Sequence, residues 1–222
     1  MNVALPAWLP RSSAINLLAG VFLLSAFYVV SQRRIAACIR GYTWNSISLG
    51  LIAALVAAST GARAIWIAAL LVIVVKAALI PRLLTGALEQ LRARDEVTPY
   101  VGMPASMLIC GALTVLGVSE SRALFGTSPT VLGSCLPISV ATALIGLFVM
   151  VSRRQALLMV VGLVLVENAI FLAAVSLTYG MPLVVEMGVL LDVLVAVALL
   201  VMFVGRIEAL DEAPPPARGG GT

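Results

Sequence analysis

Apolar residues in this chain run together over lengths that a bilayer would hide, at roughly 14–31, 42–59, 64–81, 103–119, 131–151, 156–178 and 183–204. About 17 to 25 residues of helix cross the hydrocarbon layer, so each run is long enough to span it. None alternates with the period of a barrel strand, and backbone groups in lipid must be satisfied within their own segment. The pattern therefore predicts an all-α fold, a polytopic membrane bundle of seven transmembrane helices filling residues 14–204. Residues 1–13 precede it as an outer segment. The tail 205–222, with EAPPPARGGGT, is Pro- and Gly-rich and is expected to be disordered.

Between the third and fourth runs, residues 82–100 read differently. Apolar positions 83, 84, 87, 88 and 91 follow a helical spacing with charges on the other face, which predicts an amphipathic helix along the cytoplasmic surface. Composition agrees with the membrane reading. The 222 residues are 62% hydrophobic and 11% charged, with a mean hydropathy of +1.13, outside the range of soluble domains.

Arginine placement orients the bundle. With the amino terminus outside, the inner connections hold Arg33, Arg34, Arg40, Arg82, Arg92, Arg94, Arg153, Arg154, Arg206 and Arg218, and the outer ones hold Arg11, Arg63 and Arg122. Such an excess marks the cytoplasmic side, so the carboxyl terminus is expected inside. The net charge of +4 then expresses topology, and no nucleic-acid partner is implied. No cleaved signal is expected, because Gln32-Arg33-Arg34 ends the first run where a small-residue cleavage site would stand.

Absences narrow the chemistry. Histidine does not occur, and the three cysteines, Cys38, Cys110 and Cys135, are widely spaced without a Cys-x-x-Cys pair. No cofactor and no metal is expected in this chain, and the cysteines read as small buried hydrophobes. No phosphate-binding, dinucleotide-binding or nucleophile-elbow motif appears, so no catalytic residue is assigned.

Four ionisable residues lie inside the apolar runs: Lys76, Glu167, Glu186 and Asp192. A charge at the bilayer centre costs from about 3 to more than 10 kcal/mol, which makes these the candidate proton or ion path. Glu167 and Asp192 fall near mid-bilayer on the last two spans, which the short outer turn Tyr179-Gly180-Met181-Pro182 makes antiparallel neighbours. A desolvated carboxyl pair can hold an exchangeable proton. Hydrogen-bonded glue between helices is the alternative. Glu186 lies about one turn inside the outer face, projects some 120° from Asp192, and reads as an outer accessory or a snorkelling group. Lys76 is the chain's only lysine. It is expected in the cytoplasmic third of its span, either in the path or with its ammonium carried to the headgroups.

Other polar residues read structurally. Asn168 adds hydrogen-bonding capacity beside Glu167, and Asn16, Asn45, Ser46 and Ser48 are expected to join helices. Trp8, Tyr42, Trp44 and Trp66 are expected to anchor the interfaces, and Pro137 to kink its span.

At Val75-Lys76-Ala77-Ala78-Leu79-Ile80-Pro81, at Leu163-Val164-Leu165-Val166-Glu167-Asn168-Ala169-Ile170-Phe171-Leu172 and from Met181 to Asp192, the chain resembles the hydrogenase-4 component E family. The resemblance runs over essentially the whole bundle. It implies a small multi-pass subunit of a prokaryotic cytoplasmic (inner) membrane, in a group 4 hydrogenase or formate hydrogenlyase-like complex. Its partners would be larger antiporter-like membrane subunits and a peripheral redox arm, with the cofactors in those partners. The last third is also similar to the K subunit of complex I and the C subunit of multisubunit cation/proton antiporters, whose membrane glutamates belong to a lateral proton path. Asp192 falls where the later glutamate of that pattern is expected. Glu167 comes one helical turn after the earlier one, on the same helix face. The reading is a non-catalytic subunit coupling oxidoreduction to proton or cation translocation. A docking scaffold and a stand-alone secondary transporter are the alternatives.

Overall fold

The pairing of apolar runs through short polar turns decides the architecture. In the computed structural model, which describes residues 11–60, 63–90, 97, 100–125 and 135–178, the elements are α1 (Arg11–Ser31), α2 (Ile35–Thr60), α3 (Arg63–Leu71), a π-helical segment (Val72–Leu79), α4 (Ile80–Gln90), α5 (Met103–Phe125), α6 (Cys135–Ser152) and α7 (Ala156–Thr178). Among the described residues there is no strand, and six helical stretches are long and apolar enough to cross a membrane. The expected seventh span, 183–204, lies outside the described residues together with Glu186 and Asp192.

The α1–α2 turn is short because Arg34 opens the second helix. Its carbonyl accepts from the amides of Ala37 and Cys38 at 3.1 Å, leaving three residues to reverse the chain and making α1 and α2 antiparallel neighbours. Gln155 opens α7 in the same way, accepting from Leu158 and Met159. The α6–α7 pair is the closest in the bundle. A β-carbon on Gly162 would stand 2.8 Å from the Gly146 carbonyl oxygen and 2.9 Å from the Met150 nitrogen, so the two backbones touch where glycines face each other.

The third span departs from expectation. Its helix passes through Pro81 and continues to Gln90, so over 82–90 the chain prolongs the span, with Leu84 and Ala87 in the core. A proline inside an α-helix clashes with the carbonyl four residues earlier, here that of Ala77. The wider π turns just before Pro81, where the Ile80 amide bonds to the Val75 carbonyl, relieve that clash and let the helix run on.

Two apolar clusters fill the interior. One holds Val30, Ile35, Ile39, Tyr42, Leu84, Ile145, Leu158 and Leu165. The other holds Phe22, Leu49, Ile52, Val72, Phe171 and Leu172. All three cysteines are buried, as expected of small hydrophobes. Tyr42 is a correction. It is 0% exposed in the first cluster, because α2 begins at Ile35 and carries residue 42 two turns into the bundle, away from the interface. Trp44, on the opposite side of the helix, is 62% exposed.

Candidate functional site

Between the two clusters, each inward helix face switches from apolar to polar over a few residues. On α1, Ser25 lies between Phe22 and Ala26. On α2, Asn45, Ser46 and Ser48 lie between Tyr42 and Leu49. On the third span, Lys76 lies between Val72 and Ile80. On α7, Glu167 and Asn168 lie between Leu165 and Phe171. All these polar residues are buried, and the flanking residues belong to one cluster or the other. The result is a transverse polar layer between the two apolar clusters.

Its charged part is an ion pair. Lys76 Nζ stands 3.7 Å from Glu167 Oε1, with 0% and 4% of the side chains exposed. The ammonium also lies 5.6 Å from the centre of the Phe171 ring, one turn beyond Glu167 on α7, a cation–π contact that favours the charged form. The pairing follows from the lengthened third span. Seven residues of the span Ala69–Glu89 precede Lys76, and eleven of the span Ala156–Leu177 precede Glu167, so both lie well inside. Lys76 therefore points inward to an acid, and its ammonium is enclosed within the bundle.

Its neutral part is a hydrogen-bond network joining three helices. The Asn168 amide donates to Asn45 Oδ1 at 2.9 Å and to Ser46 Oγ at 3.0 Å. The Asn45 amide donates to the Phe22 carbonyl and to Ser25 Oγ, and Ser25 donates to the same carbonyl at 2.6 Å. Asn168 Oδ1 is buried and accepts no hydrogen bond among the described residues. The sequence predicts Asn45 and Ser46 as helix-joining groups and Asn168 as hydrogen-bonding capacity beside Glu167, but does not by itself bring the three together. Their shared depth, between apolar stretches on successive runs, is the signal that would have done so. A cleft of about 390 Å³ between α1 and α2, lined by Val21, Leu24, Ser25, Tyr28, Gly41 and Trp44, reaches the edge of this network. Among the described residues no carboxylate or basic side chain lines it.

Arg153, one of the arginines of the inner connections, is 4% exposed and donates from Nη2 to the Val30 carbonyl at 2.6 Å. Burial holds its guanidinium below the usual arginine value, partly offset by the neighbouring Cys38 and Cys110 thiols. It clamps the α6–α7 turn onto the end of α1, and lies away from the polar layer. Among the described residues no cluster of metal-binding side chains occurs. The expected pairing of Glu167 with Asp192, and the outer role of Glu186, fall outside the described residues.

The chain is similar over most of its length to known proteins. It is 31% identical over 200 residues to the uncharacterized protein Rv0085 of Mycobacterium tuberculosis, covering 90% of this chain and 91% of that one. It is 27% identical over 202 residues to the hydrogenase-4 component E of Escherichia coli, covering 88% and 91%, and equally to that of Shigella flexneri. No family model and no solved structure matches.

Proposed function

The chain belongs to the hydrogenase-4 component E family, and on that premise we propose that it is a non-catalytic membrane subunit of a complex I-like, group 4 hydrogenase or formate hydrogenlyase-type complex. It resides in a prokaryotic cytoplasmic membrane, and contributes buried ionisable groups to proton or cation translocation coupled to oxidoreduction. Larger antiporter-like membrane subunits and a peripheral redox arm are its partners, and they carry the redox centres.

The observation that carries this reading is the buried Lys76–Glu167 pair. Removing two charges from water costs several kcal/mol per ion, and a bundle held only by packing has no need of that expense. A carboxylate facing an ammonium can also exchange a proton with it, because moving one proton turns the ion pair into a neutral pair with no net charge left in the membrane. The layer is transverse, and apolar clusters seal it on either side. That arrangement favours transfer in the membrane plane, toward a neighbouring subunit, over a pore along the normal. Asp192 and Glu186 are proposed to extend the path, Asp192 as the next acid and Glu186 as an outer accessory.

The test is coupling in the whole complex. Glu167→Gln keeps shape and hydrogen-bonding capacity but cannot release a proton. In proteoliposomes it is expected to leave assembly intact while lowering ion translocation per turnover, with Asp192→Asn acting in the same direction. Unchanged coupling in the double variant Glu167→Gln/Asp192→Asn would remove the relay and leave the acids as packing groups.

A further inference from the structure

We propose that Lys76 sets the ion specificity of this site: its ammonium fills the place beside Glu167 that a metal cation would need, and so restricts the exchangeable ion to the proton. The inference rests on the reading of Glu167 as an exchanging group, and it names which ion is exchanged.

The geometry separates the two ions. A proton needs only a lone pair, so it can pass between Glu167 and Lys76 without a vacant coordination site. A sodium ion needs several oxygen ligands around it. Oxygens for such a shell are at hand: the Glu167 carboxylate and, on the adjacent residue, Asn168 Oδ1, which accepts no hydrogen bond among the described residues while the amide nitrogen of that side chain donates to Asn45 and Ser46. The layer therefore holds the beginnings of a cation site with a lysine ammonium already in it, 3.7 Å from the carboxylate. That ammonium is held from a second side by the Phe171 ring, and it is fully buried. A second unit charge at about 4 Å, at an effective dielectric of about 20, weakens cation binding by roughly 1,000-fold. Removing the ammonium alone should expose the latent site.

Cation binding at Glu167 can be read directly by infrared difference spectroscopy of the intact complex, co-purified through this chain. Choline is exchanged for Na⁺ at constant ionic strength and mildly alkaline pH. The carboxylate band that disappears in Glu167→Gln identifies the residue. The unmodified complex is expected to show no saturable Na⁺ shift in that band. Lys76→Met and Lys76→Gln are each expected to gain one, half-saturating at least about tenfold lower in Na⁺ than any response of the parent, while Lys76→Arg stays silent. A Glu167-dependent, saturable Na⁺ shift in the unmodified complex would overturn the proposal, and that arm requires no variant of Lys76 to fold. Silence in both neutral variants would overturn it as well. The readout is binding and not transport, so the two readings fail separately. Normal coupling in Glu167→Gln/Asp192→Asn removes the relay whatever the spectra show, whereas a sodium band in the unmodified complex removes proton selectivity even where coupling is impaired.

Discussion

Asn45 and Asn168 show what a single polar side chain contributes inside this bundle. Each is fully buried, and the pair joins α2 to α7 while Asn45 reaches on to α1. Asn168→Ala leaves the Asn45 carbonyl oxygen without its donor, at a cost of about 1–3 kcal/mol. The coupling between the two residues should be smaller, near 0.6 and at most about 1.7 kcal/mol in a double-mutant cycle, because a chain unfolded in lipid finds other partners. Reversible unfolding of the two single variants and the double variant in mixed micelles measures it, and a coupling near zero would show that the observed 2.9 Å contact contributes nothing. The ion pair should behave more sharply. Lys76→Met removes the ammonium that faces a buried carboxylate, expected to cost about 3–5 kcal/mol, and adding Glu167→Gln should recover most of the loss. If the double variant is as unstable as the single one, the two side chains do not act as a pair. That Lys76 and Glu167 are exceptional was legible in the sequence, since a charge within an apolar run stands out whatever the fold. Their pairing was not, because it depends on how far the third span extends.

The third span turns on Pro81. The apolar run of the third span ends at Pro81 in the sequence, which sets Lys76 toward its cytoplasmic third. In the structure the π-helical turns of Val72–Leu79 absorb the clash, and the helix continues to Gln90. Hydrophobic periodicity carries no signal for a π turn, because the side chains before and after it are equally apolar. The helices themselves, by contrast, were legible wherever an apolar run ended in a charged turn, as α1 does at Gln32-Arg33-Arg34 and α6 does at Arg153-Arg154. Contact between helices depends on glycine positions that composition alone does not rank. Gly162 and Gly111 are both helical, but a β-carbon on Gly162 meets backbone atoms of α6 within 3 Å, whereas one on Gly111 meets nothing within 4 Å. Gly162→Ala must push α6 and α7 apart and is expected to cost about 1–3 kcal/mol. Gly111→Ala should be neutral or stabilise by up to about 1 kcal/mol. Thermal stability of the two variants side by side tests the contrast, and equal melting points would mean that the α6–α7 contact is looser than described.

At the scale of the molecule, three connections close one end of the bundle. The Val97 amide bonds to the Arg33 carbonyl at 2.8 Å, and the Tyr100 amide bonds to the Ser152 carbonyl at 2.9 Å. Arg153 is clamped to Val30, and the Arg154 guanidinium stacks 4.3 Å above the Tyr100 ring. Arg33, Arg34, Arg153 and Arg154, from two turns far apart in sequence, therefore share one end, while Arg63 and Arg122 belong to the opposite one. Positive charge concentrated at one end is what fixes orientation during insertion, so this end is expected to face the cytoplasm. The native cysteines are all buried and should not react with an impermeant maleimide in intact cells, which leaves an introduced thiol as the only reporter. Arg154 and Arg122 are both exposed. Arg154→Cys should stay unlabelled until the membrane is opened, whereas Arg122→Cys, at the other end of the bundle, should label from outside at once. The reverse pattern would invert the molecule in the membrane. Labelling of both positions from outside would mean that one of the described helices does not cross the membrane.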